Sequence, residues 1–204
     1  MADPSYIVSG VLTDDEAWVG IAHASLSLPA ATVTFTSTND GQTGDWSQYM
    51  DLVLITYTRC DSGSALGYLR MNENNKEGSR HTVQWLYTDG SSMLASATAA
   101  STQAQPIGYV MGGTAAANEF SCTITQLFDI NSAKFGHGQT ISAADSEGDG
   151  EVLLNGIMWL QSQSGVGGSS PAALTEIDLT TGSDDFVAGS TFHLFGVLPR
   201  MVAP

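Results

Sequence analysis

Basic side chains are scarce. The chain carries 6 Lys and Arg against 21 Asp and Glu over 204 residues, a formal charge of −15 at pH 7. Nucleic-acid affinity rests largely on Lys and Arg neutralising phosphates, so this balance speaks against a nucleic-acid partner. Lys76, Lys134, Arg59, Arg70, Arg80 and Arg200 are scattered and form no local patch. Charge of either sign is low, 13% of residues, well under the ~25% of an ordinary globular protein. Cysteine is limited to Cys60 and Cys122, enough for one pair and no disulfide framework. Both lie in or beside strand-like runs, where a cysteine is expected to act as a small buried hydrophobe. No run approaches the ~18 apolar residues of a membrane helix. Met1 to Ala24 has neither the basic start nor the apolar core of a secretory signal. Helical periodicity, heptads and internal repeats are missing too, which speaks against a coiled shaft or a solenoid.

What is present is 42% hydrophobic residues, 22 glycines and a long series of short alternating runs. Ala31 to Ser37 alternates Ala31, Val33 and Phe35 with Thr32, Thr34 and Thr36, the pattern of a half-buried strand. Asp51 to Thr58 and Val152 to Gln161 are apolar on both faces and read as interior strands. Phe120 to Ile130 predicts Phe120, Cys122, Ile124, Phe128 and Ile130 inward, with Ser121, Thr123, Thr125 and Asp129 outward. His81, Val83, Trp85 and Tyr87 share a face. Met93 to Gln105, small and rich in Ala, Ser and Thr, reads as a surface loop. The chain closes on Ala172 to Val197, read as a two-strand hairpin whose last strand is interior, with Phe192 and Leu194 on one face and Phe195 and Val197 on the other. Gly196 is expected where an adjacent strand or ring comes close. The count is about ten to twelve strands with no helix, which predicts an all-β, two-sheet antiparallel sandwich of jelly-roll type. Residues 1–30 are expected to form an N-terminal arm with short strands, 31–198 the sandwich domain, and 199–204 a C-terminal tail.

Motifs for chemistry are weak. Asp145, Glu147, Asp149 and Gly150 follow the first half of a calcium loop, but its twelfth position is Gly156, so a solvated acidic turn is the reading. His23, His81, His137 and His193 lack the paired spacing of a metal site. No nucleophile elbow or phosphate loop occurs. The pairs Asp14/Asp15 and Asp184/Asp185 sit in turns, away from the aromatic setting that raises a catalytic carboxyl. No catalytic residue, metal or cofactor is therefore expected. A lectin remains the alternative: Trp46, Tyr49, Trp85, Tyr87 and Trp159 could stack on sugars, Trp46 foremost because it falls in a loop.

From Ala31 to Leu198 the chain resembles small jelly-roll virion proteins of tailed bacteriophages. The resemblance is carried by Asp51 to Asp61 followed by Gly67 to Asn72, by Phe120 to Phe135, by Ile157-Met-Trp159, and by Leu174 to Leu179 with Phe186 to Gly196. It implies a structural particle component without catalytic residues, located in the virion and assembled in the host cytoplasm. The expected role is capsid decoration (cement), as a homotrimer contacting the major capsid protein or other virion proteins, with no nucleic acid and no membrane. A receptor-binding module on the tail fibre or tip is the alternative.

Overall fold

The computed structural model describes residues 7–8, 11–12, 18–38, 44–75, 81–88, 92–101, 105–132, 136–145, 151–159 and 173–198, with the backbone alone for 7–8, 11–12, 81, 98–101, 105 and 151–159. It is an all-β sandwich of two antiparallel sheets, with a separate two-stranded ribbon of β1 (Ile7–Val8) and β2 (Val11–Leu12).

Eight strands carry the sandwich and pair as nested partners. β3 (Trp18–Ser25) pairs with β14 (Thr191–Val197), and β5 (Asp51–Thr58) with β10 (Ser121–Phe128), in one sheet. β4 (Thr32–Thr36) pairs with β13 (Glu176–Thr180), and β6 (Leu66–Glu73) with β9 (Gln105–Met111), in the other. First with last, second with second-last and so inward: this is the jelly-roll winding. Two hairpin pieces enlarge the first sheet, β7 (His81–Thr88) with β8 (Met93–Ser101), and β11 (Gly136–Ala144) with β12 (Glu151–Trp159). The result is an eight-stranded sheet, β3-β14-β5-β10-β11-β12-β7-β8, over a four-stranded sheet, β4-β13-β6-β9.

The main core lies between β3, β14 and β5 on one side and β4, β13 and β6 on the other. Leu52, Leu54, Phe192 and Leu194 meet Val33, Phe35, Leu69, Met71, Ile177 and Leu179, all buried. Phe186 stands edge-on to Phe192, centroids 5.0 Å apart. A short helical turn, Trp46–Gln48, is capped by Asp45, whose carboxylate accepts the Ser47 N–H at 2.9 Å. Asn131 Nδ2 donates to the Trp46, Ser47 and Tyr49 carbonyls, holding the same turn from outside.

Four expectations need correction. Met93–Ser101 is the edge strand β8 and not a loop, because its backbone completes the ladder on β7 whatever its side chains. The closing segment is not a hairpin: β13 and β14 belong to opposite sheets, and the chain crosses between them. The last strand is nonetheless interior, flanked by β3 and β5. Trp18–Ser25, assigned to an arm, is an eight-residue strand of the sheet; residues 199–204 lie outside the described residues. Finally, β10 faces the opposite way to the expectation. Ser121, Thr123, Thr125 and Leu127 are fully buried, while Ile124 is 43% exposed.

Candidate interaction face

The inversion of β10 has a local cause. β9 is an edge strand, and its backbone comes down on β10 and β11 so closely that a Cβ at Gly108 would lie 2.5 Å from Thr123 Oγ1 and 2.8 Å from Ser142 Oγ. No isoleucine fits beneath it. The short hydroxyl side chains that do fit also satisfy the edge. Tyr109 N–H donates to Ser142 Oγ at 2.9 Å, and Ser121 Oγ donates to the Tyr109 carbonyl at 2.8 Å. Thr123 Oγ1 and Ser142 Oγ share a hydrogen bond of 2.7 Å, and the Thr125 and Thr140 hydroxyls pair as well. A buried edge strand would otherwise leave backbone groups unpaired at real cost.

Side chains alternate along a strand, so placing hydroxyls inward sends the apolar set outward. One register row crosses the whole eight-stranded sheet: His23, His193, Ile55, Ile124, Ile141, Leu154, Leu86 and Ala95. Ile141 is 55% and Leu86 38% exposed. The row above holds Thr191, Tyr57, Cys122 and Ala143, and the row below Phe195, Val53, Gln126 and Gln139. Among the strand residues of this sheet whose side chains are described, Asp51 is the only outward one of acidic or basic type apart from the histidines. It is buried, its carboxylate accepting the Asp129 N–H at 2.9 Å and Gln126 Nε2 at 3.2 Å. The second sheet behaves in the ordinary way, with Thr32, Thr34, Thr36, Arg70, Glu176 and Asp178 outward and Thr34 Oγ1 bonded to Asp178 Oδ1. One sheet carries charged side chains outside; among the side chains described, the larger one exposes isoleucine, leucine and tyrosine with glutamine and histidine and no carboxylate.

At the β3 end, where the register shifts between Leu194 and Phe195, a shallow depression of about 320 Å³ lies beside Gly20, His23, His193 and Phe195. The His23 and His193 rings, far apart in sequence, stack across β3 and β14 at 6.5 Å. His137 lies against Phe128 at 5.5 Å. Among the described residues no group of three or more His, Cys, Asp or Glu could hold a metal ion.

The other residues singled out from sequence fall elsewhere. Trp46 is 1% exposed and Tyr49 2%, so neither offers a sugar platform; Trp85 and Tyr87 are half-buried against the core clusters. Asp145 is exposed, whereas 146–150 and the Asp14/Asp15 pair lie outside the described residues, and of Trp159 only the backbone is described. Asp184 and Asp185 occupy the crossover turn, where the Asp185 N–H donates to Asp61 Oδ1. Cys60 is fully buried and burial pushes its thiol above the ordinary value, while Cys122 is half-buried on the outer face; both are free thiols. Sequence reading missed the face because alternation in β10 does not say which side is covered. The repeated Gly and hydroxyl positions of Gly136, Gly138, Thr140 and Ser142 were the available signal. No family model, curated protein or solved structure matches the chain.

Proposed function

We propose that this chain is a non-enzymatic structural component of a virion, a decoration protein on the head of a tailed phage. The observation that carries the reading is the outer face of the eight-stranded sheet, broad and, among the side chains described, without exposed carboxylate, lysine or arginine, with Tyr57, Leu86, Ile124 and Ile141 exposed beside the neutral or histidine side chains of His23, Gln84, His137 and Gln139. Interfaces that stay buried are depleted of charge at their centre and rimmed by polar groups. A monomeric protein leaves few such faces open to water. A chain with formal charge −15 that exposes no carboxylate on this face, among the side chains described, is built to be covered there. The jelly-roll winding, together with the resemblance of Ala31 to Leu198 to phage virion proteins, supplies the particle; the major capsid protein is the partner this implies.

Quantified staining of purified particles tests it. Hundreds of copies per particle are expected. Copies in the range of a dozen or so would move the protein to the tail, and none would remove it from the virion.

A further inference from the structure

We infer that the outer face of the eight-stranded sheet is a self-recognition surface, covered by the same face of a second copy of this chain in a two-fold, face-to-face pair. Three observations select that occupant. The first is charge. Each copy carries −15, so two copies repel wherever carboxylates meet, and this face is where they can touch without opposing one charge to another. A basic partner would instead seek the acidic loops and the β13 side of the molecule, where Glu176 and Asp178 lie. The second is extent. Strands about 4.8 Å apart and a rise of about 3.3 Å per residue give the face roughly 34 Å by roughly 23 Å. That is close to the ~800 Å² per partner of a stable standard interface. The third is arrangement. The register row that starts at His23 and His193 runs through the middle of the sheet, with the exposed Ile124 on β10 and Ile141 on β11 as its two central members. A two-fold axis in the plane of the interface therefore lays the row on its own counterpart, the condition for an isologous contact. Sheets packed in this way sit about 10 Å apart with interdigitated side chains.

The contact is two-fold, in place of the three-fold association expected from the sequence. It rests on the reading above only in taking the face to be buried in use, and it gives that face to a second copy, so that a capsid partner would meet another surface of the pair. Particle copy number tests that reading and solution mass tests this one, so the two can fail separately.

Sedimentation equilibrium of the purified full chain over a concentration series should give twice the 21.4 kDa chain mass. Ile141→Asp and Ile124→Asp, at exposed positions, should keep the wild-type circular dichroism and weaken association at least about thirtyfold, as loss of a central contact does. Thr32→Asp, exposed on the outside of the other sheet and paired with Thr180, should leave association unchanged. A wild-type chain that stays monomeric throughout, or that forms a trimer, overturns the inference. So does a dimer of unchanged affinity in both folded isoleucine variants. Should either variant misfold, Gln139→Glu places a charge on the same face without removing an apolar group and must weaken the dimer.

Discussion

The backbone N–H of Tyr109, on the four-stranded sheet, donates to the hydroxyl of Ser142, on the eight-stranded sheet, across 2.9 Å. This bond ties the two layers together and goes with the inward facing of Ser142 on β11. Ser142→Ala removes the acceptor of a buried N–H and the partner of Thr123 Oγ1. It should cost about 1–3 kcal/mol in urea unfolding.

Thr56 belongs to the same layer and should respond with the opposite sign. It is fully buried, and its Oγ1 has no hydrogen-bond partner among the described residues. Thr56→Val keeps the shape and removes an unpaired hydroxyl, so stability should be unchanged or rise, by up to about 1 kcal/mol. A clear loss of stability would show that the hydroxyl is bonded after all.

Phe192 is fully buried and packs edge-on to Phe186. Phe192→Ala should cost about 3–5 kcal/mol through lost burial and the cavity left behind. Thermal unfolding reads this directly, and a variant melting like the parent would remove β14 from the centre of the core.

Gly196, two strand turns further along the same face, lies under Tyr49: a Cβ there would sit 2.5 Å from Tyr49 Cε1. Because the ring is itself 2% exposed, it has little room to give. Gly196→Ala should lower the unfolding midpoint by an amount equivalent to about 1–3 kcal/mol. The double variant with Tyr49→Ala should recover less than Tyr49→Ala alone loses, since the ring also fills the core.

The strand inventory was legible because β-branched and aromatic alternation is a local signal; Asp51 to Thr58 and the last strand read as interior and are. Gly196 was legible as a point of close approach for the same local reason. The facing of β10 was not. Its alternation defines two sides, and the choice between them is made by β9, more than ten residues away in sequence and brought in by the fold. Gly108 and the hydroxyls opposite it are the physical record of that choice. β8 was illegible because Ala, Ser and Thr carry no amphipathic pattern, and an edge strand can be held by its backbone ladder alone. The nested pairing of first strand with last is a long-range property that no window of sequence contains, so Trp18–Ser25 read as part of an arm and β13 and β14 as a hairpin.

Two free thiols allow the central claim, that the outer sheet face is covered in use, to be read in one experiment. Cys122 lies on the face between Tyr57 and Ala143, whereas Cys60 is fully buried and held protonated above the ordinary thiol range by its burial. Cys60 should therefore stay silent towards a thiol reagent in the native protein, mildly alkaline pH included, and react only on unfolding. Cys122 labelling should be fast in dilute protein and slow as concentration carries the chain into pairs, with the protection lost in Ile141→Asp. A Cys122 rate that is the same at every concentration and in the variant would contradict the account.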